Sequence, residues 1–264
     1  MTRTMTRYKY LAALVLAGLL SACGTKEVQD ITAPPAASRI RFFNFGVNAP
    51  SVNFYANDTK MSAIQSTTGT EATTGIAYGG VSAGGAYSSI DAGQYAVTGR
   101  IAAATDKDLP IATVNTTIAD GKYYSFYMSG IYNTTTKSVE GFVVEDPFVI
   151  QTNDSTSTTV RFVHAISNAN PMTLYAKNTT TGVETAIGGE VAYKGAGAFV
   201  NLTSGAYDLS TRYTGSTTNV LTRPGVSFVG RKVYTITARG DITVAPSTAC
   251  AAANRTCLDN TANR

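Results

Sequence analysis

The sequence predicts an all-β protein built from two tandem antiparallel β-sandwich domains, and three observations carry that prediction. Composition is the first: 40 threonines, 24 glycines and 15 tyrosines among 264 residues, no tryptophan and only 14% charged residues. Such a mixture suits pleated, half-buried strands better than helices. Patterning is the second. Short segments alternate apolar with polar residues between turns such as "NAP", "DAG", "ADG" and "TSG", and no long segment shows a 3.6-residue period. The third is an internal repeat. Shifted by 120 positions, "IRFFNFGVNAPSVNFYA" (40–56) lies on "VRFVHAISNANPMTLYA" (160–176), matching Arg41 with Arg161, Phe42 with Phe162, Asn48 with Asn168 and Tyr55 with Tyr175. Hydrophobic content of 44% is enough to fill two cores.

Residues 1–22 read as an export signal rather than as part of the fold. "MTRTMTRYKY" carries Arg3, Arg7 and Lys9 without an acid, and "LAALVLAGLL" follows. That apolar run is shorter than the roughly 20 residues needed to cross a bilayer core. Leu20, Ser21, Ala22 and Cys23 resemble the lipobox of bacterial lipoproteins, with small residues before a thiol that receives diacylglycerol. The resemblance implies cleavage before Cys23 and a membrane partner reached through lipid. Two or three acyl chains give durable anchoring, whereas one is marginal. Gly24, rather than an aspartate, implies the outer membrane by similarity to Gram-negative lipoproteins.

Without the signal the chain holds 18 Lys plus Arg against 17 Asp plus Glu, with no block of like charge. The electrostatic footprint of a nucleic-acid binder is missing, so no nucleic-acid partner is expected. With Cys23 assigned to lipid, Cys250 and Cys257 remain, and in an exported protein they are predicted to pair. Closing so short a loop restricts the unfolded chain by roughly 2–3 kcal/mol. A metal site there would want histidine or further thiols nearby. Neither metal nor cofactor is expected.

The predicted order is then a tether over 23–38, a first sandwich over 39–150, a polar linker "QTNDSTST" over 151–158, a second sandwich over 159–245, and a tail over 246–264 beyond the last strand. Further repeat pairs keep the same order. "IAYGGVSAGGAY" parallels "VAYKGAGAF", "GQYAV" (93–97) parallels "GAYDL" (205–209), and "KYYSFYMSG" (122–130) parallels "KVYTITARG" (232–240). An antiparallel sandwich or barrel of about seven strands per domain fits such spacing.

The opening Arg161, Phe162, Val163, His164, Ala165, the Asn168 turn, "DAGQY", "TSGAY", "DGKYYS" and "GRKVYT" together resemble the bacterial domain-of-unknown-function family 4397, in two copies over 39–240. The resemblance implies immunoglobulin-like sandwiches and carries no catalytic residues.

Candidate sites are weighed against the repeat. His164, the lone histidine, corresponds to Asn44; either side chain can donate to a turn carbonyl at a strand end, so His164 is read as structural. Asp106 with Asp108, and Glu145 with Asp146, are the carboxylate pairs an acid–base mechanism would need, and they read as turn charges. In "KYYSFYMSG" the alternation sets Tyr124, Phe126 and Met128 inward. It leaves Tyr123 and Tyr127 about 7 Å apart on the outer face, where they either pack across strands or against the neighbouring domain, or form a candidate surface for a glycan or protein partner. The function expected is an outer-membrane-anchored lipoprotein acting as a non-catalytic binding or structural module of the envelope. The alternative is an envelope hydrolase using loop carboxylates on glycans.

Overall fold

The computed structural model describes residues 36–62, 74–147, 154–246, 250 and 256–263. The predicted signal, Cys23, and most of the predicted tether and linker lie outside the described residues. Eight strands form the first repeat: β1 (Arg39–Val47), β2 (Val52–Ala56), β3 (Thr59–Lys60), β4 (Ser88–Ser89), β5 (Gly93–Ile101), β6 (Pro110–Ile118), β7 (Tyr123–Asn133) and β8 (Ser138–Glu145). Eight more follow: β9 (Ser157–Ala165), β10 (Met172–Asn178), β11 (Glu184–Val191), β12 (Val200–Thr203), β13 (Gly205–Tyr213), β14 (Leu221–Phe228), β15 (Val233–Arg239) and β16 (Cys257–Ala262).

Each repeat is a sandwich of two four-stranded sheets. The orders β4-β1-β7-β8 and β3-β2-β5-β6 recur as β12-β9-β15-β16 and β11-β10-β13-β14, so the repeat read in the sequence is a repeat of topology, strand for strand. All pairings are antiparallel except β1 with β7 and β9 with β15, which run parallel. Alternation builds the cores. In the first, Ile40 and Phe42 of β1 and Tyr124, Phe126 and Met128 of β7 meet Val52 and Phe54 of β2. In the second, Val160 and Phe162 of β9 and Tyr234 and Ile236 of β15 meet Leu174 and Leu209.

Three boundaries differ from the expectation. Ser38, assigned to the tether, is buried, and its hydroxyl donates to the Ala119 carbonyl at 2.9 Å. Strand β9 opens at Ser157, inside the predicted linker. The largest correction is the tail. Residues 257–262 form β16, paired with β15 from Arg239↔Cys257 to Tyr234↔Ala262, where a tail free of the sheet had been expected. Cys250 and Cys257 form the predicted disulfide, which therefore anchors the start of a sheet strand.

Candidate functional site

The outer faces of the β1/β7/β8 and β9/β15/β16 sheets pack against each other. Both faces of β1 and β9 are consequently covered, and each strand is buried from its second residue to its last. A third apolar cluster fills this junction: Phe43, Phe45, Tyr127 and Phe142 from the first repeat with Val163 and Ala165 from the second. Tyr127 is fully buried here, its ring stacked between Phe43 (centroids 4.6 Å apart) and Phe142 (5.1 Å). The candidate tyrosine surface is thus corrected: of the two alternatives, Tyr127 takes burial against the neighbouring domain. Alternation places Tyr127 on the outer face, and the second sandwich covers that face. Tyr123 is half-buried, edge-on to Tyr87 at 5.1 Å.

At the centre of the junction lies a charge cluster with twofold logic. Arg41 and Arg161, the matched arginines of the repeat, are both buried. Each first bonds within its own sheet: Arg41 Nε donates to Ser125 Oγ (2.9 Å), and Arg161 Nε donates to Thr235 Oγ1 (3.1 Å). Each then reaches across. Arg41 Nη2 donates to Asn263 Oδ1 (2.8 Å) and Nη1 to the Ala262 carbonyl (3.4 Å). Arg161 Nη2 donates to Asp146 Oδ1 and Nη1 to the Glu145 carbonyl (2.9 Å). The register pairs Tyr124 with Glu145 and Tyr234 with Ala262, so Asp146 and Asn263 hold equivalent places just past β8 and β16. The arginines are therefore exchanged between the repeats.

Asp146 is the single carboxylate among those exchanged partners. Its Oδ2 also accepts from Ser125 Oγ and from Tyr87 Oη, each at 2.6 Å. Arg41 lies over the Tyr87 ring at 4.6 Å, and Arg161 lies over Phe199, the equivalent ring, at 4.9 Å. Burial pulls the Arg161 pKa below the usual arginine value, and the nearby Arg41 charge acts in the same direction; a guanidinium remains protonated at neutral pH regardless.

The other singled-out side chains are placed as follows. His164 is buried at the end of β9, where its Nδ1 accepts from the Ile166 N–H (3.2 Å). That bond fixes the tautomer, so Nε2 donates to the Asn170 carbonyl (3.1 Å). Asn44 holds the same place in the first repeat, its Oδ1 accepting from the Gly46 N–H and its amide donating to the Pro50 carbonyl (3.5 Å), which matches Asn170, and also to the Ile76 carbonyl (2.8 Å). Asp106 pairs with Lys137 at 2.7 Å, and Glu145 pairs with Lys122 at 3.0 Å. Asp108 lines a separate cleft of about 760 Å3 with Asn53, Tyr55 and Lys107.

Sequence reasoning missed the exchanged arginines as functional residues. Their signal was present in the repeat, which keeps an arginine at an outward strand position in both copies. It also missed a duplicated motif on the solvent-facing sheets. Arg100 stacks on Tyr55 (4.3 Å) and Arg212 stacks on Tyr175 (4.4 Å), with Asp58 and Glu184 as their acids.

Among the described residues, no group of three or more His, Cys, Asp or Glu side chains could hold a metal ion, and no helix is long and apolar enough to cross a membrane.

Two solved structures share a low similarity with this chain. The TIE protein of Bacillus anthracis matches at 14% identity and TM-score 0.23, over 76% of this chain and 32% of that one. A leucine-rich repeat protein from Bacteroides thetaiotaomicron VPI-5482 matches at 14% identity and TM-score 0.19, over 75% of this chain and 25% of that one. The chain thus spans about a third and a quarter of those proteins. No curated protein matches it. A family described as "Domain of unknown function (DUF4397)" matches residues 38–175 and 158–260. The two matches overlap over residues 158–175 and begin at the openings of the two sandwiches, and the chain belongs to that family, in two tandem copies.

Proposed function

We propose that this chain is a lipid-anchored, non-catalytic module of the bacterial envelope that binds a glycan or protein partner or serves as envelope structure. The observation that carries the reading is how its chemistry-bearing groups are occupied. Both nitrogens of His164 are engaged by backbone, and the Asp146 carboxylate accepts from Arg161, Ser125 and Tyr87. Asp146 so engaged joins the two sandwiches and His164 fixes a turn within the second, and groups so engaged are not poised for proton transfer, which requires reach to a substrate. The hydrolase alternative draws less support, because Asp106 and Glu145 are each held by a lysine.

Anchoring follows from the "LSAC" segment, with Cys23 as acceptor and Gly24 favouring the outer membrane. Radioactive palmitate should label the wild-type chain, which should sediment with outer membranes; Cys23→Ala should do neither. A wild-type protein that is unlabelled and soluble would end the anchoring reading. The binding reading is tested by capturing envelope extract and a glycan panel on the lipid-free chain. Turnover of any glycan on that panel would replace it with the hydrolase.

A further inference from the structure

The outer sheets of the two sandwiches are matched by the repeat but edged differently. In the second, β11 pairs along β10 from Met172↔Val191 to Lys177↔Glu184. In the first, β3 pairs with β2 only at Tyr55↔Lys60 and Ala56↔Thr59. Beside the start of β2 lies the cleft of about 760 Å3, with Ser51, Asn53 and Tyr55 on one side and Ala102, Lys107 and Asp108 of the β5–β6 loop on the other. That volume falls within the roughly 300–1,000 Å3 of ligand sites.

The loop is built to hold its shape. The Ile101 N–H donates to the Leu109 carbonyl (3.0 Å), the Asp108 N–H to the Ile101 carbonyl (2.9 Å) and the Leu109 N–H to the Asp106 carbonyl (3.0 Å). Asp106 and Asp108 both lie in the left-handed region, with φ of 57° and 63°, which aspartate tolerates better than most residues. Lys137 takes up the Asp106 carboxylate, with 2.7 Å to each oxygen. Asp108 is therefore the acid that this loop gives to the cleft. The matched loop of the second repeat, 214–220, has no charged residue, and its Asn219 accepts from Arg212 Nε at 2.8 Å. The lysine and aspartate of the cleft are thus particular to the first repeat.

We propose that this cleft binds a neutral saccharide, which deepens the binding reading above by naming a ligand and a place for it. Lys107 and Asp108 set opposite charges side by side, so an ion that satisfies one is repelled by the other. Hydroxyl groups suit both, donating to the carboxylate and accepting from the ammonium. Asn53 is 8% exposed and closes the floor with an amide in place of an apolar side chain. Tyr55, steadied by Arg100 over its ring at 4.3 Å, and the three alanines 102–104 offer apolar surface to the C–H groups of a sugar ring. Hydrolysis would need a second carboxylate within about 5–10 Å, and among the described residues Asp108 is the one acid of the lining. The cleft is equipped to hold a glycan and not to cut it.

The test is saturation-transfer NMR on the lipid-free chain with β-linked disaccharides of glucose, galactose, mannose and N-acetylglucosamine, and with galacturonate and glucosamine as charged probes. Transfer to at least one neutral disaccharide is expected. Asp108→Ala and Lys107→Ala should each weaken it by roughly tenfold or more, as the loss of a charged hydrogen bond does, and Ala103→Trp should block the cleft. All three positions are exposed, and near-UV circular dichroism checks that each variant is folded. No transfer to a neutral disaccharide, transfer to a charged probe alone, or neutral binding undiminished in the folded variants overturns the proposal. In the last case the binding reading survives with its site elsewhere, so the two fail separately.

Discussion

The two repeats share every strand and differ at the points where each depends on the other. In the first, β7 turns into β8 across residues 134–137, with Asn133 Oδ1 accepting from the Thr135 and Thr136 N–H groups. In the second, β15 and β16 are separated by residues 240–256, and the disulfide shortens that connection. The first repeat supplies a carboxylate, Asp146, to its neighbour's arginine, whereas the second supplies the neutral Asn263. A symmetric junction would bury two arginines and two carboxylates. This one buries two arginines with one carboxylate, so Asp146 compensates more charge than any other group at the centre.

Breaking that asymmetry should have the largest effect. Asp146→Asn would leave Arg41 and Arg161 buried without a counter-charge, and losing one partner of a buried pair typically costs about 3–5 kcal/mol. Urea unfolding followed by tyrosine circular dichroism should show it. The exchange Asp146→Asn with Asn263→Asp moves the carboxylate to the equivalent place beside Arg41, and it should recover much of the loss. A double variant no more stable than Asp146→Asn would mean that the two places are not equivalent.

Next in size is the disulfide. Replacing Cys250 and Cys257 with serine should cost about 2–3 kcal/mol. The loss should be local at first: amides of β16 should exchange faster with solvent, while those of β8, held by a tight turn, should not. Mass-spectrometric hydrogen exchange reports both strands in one experiment. Equal acceleration in β8 and β16 would show that the sandwiches open together.

Much of this fold is legible in the sequence because turns and alternation act locally. "RFFNF" and "RFVHA" declare strands with one face apolar, and the Asn, Gly and Asp turns mark their ends. Strand β16 was not legible. "CLDNTA" offers a single large apolar side chain, Leu258, and it joins the sheet after a long connection, so only tertiary pairing reveals it. The burial of Arg41 and Arg161 was hidden for another reason, and that of Tyr127 stood only as an alternative. Alternation states which face of a sheet a residue occupies, and it cannot state whether another sheet covers that face.

His164 and Asn44 allow a finer comparison, because they make matching backbone bonds with different titration. Burial holds the His164 pKa below its ordinary value of 6.5. Below pH 6.5 the unfolded chain takes up a proton that the folded chain refuses. The contribution is therefore whole above pH 6.5 and is lost as pH falls toward the folded pKa, with a limiting slope of about 1.4 kcal/mol per pH unit. His164→Asn should retain the fold and flatten the stability profile between pH 6.5 and about 5, above the range where ordinary carboxylates titrate. An unchanged profile would place the source of the slope elsewhere.

The smallest expected difference lies on the outer sheets, where the tyrosine–arginine stacks are matched and their acids are not. Arg212 meets Glu184 through two bonds, Nη1 to Oε2 at 2.8 Å and Nη2 to Oε1 at 2.7 Å, and its Nε reaches Asn219. That pairing lowers the Glu184 pKa, chiefly through the hydrogen bonds from Arg212. Arg100 meets Asp58 through one contact of 3.3 Å, and that carboxylate is fully exposed. Solvent screening leaves exposed single contacts with little effect, while bidentate geometry retains some. Arg212→Ala should therefore destabilise the chain by about 0.5–1 kcal/mol, partly through the lost stack on Tyr175, and Arg100→Ala by less. A double-mutant cycle of Arg212 with Glu184 should give a coupling that shrinks in high salt, because the pair is partly exposed. If Arg100→Ala proves the costlier of the two, the stack on Tyr55 carries the motif and the acids are incidental to it.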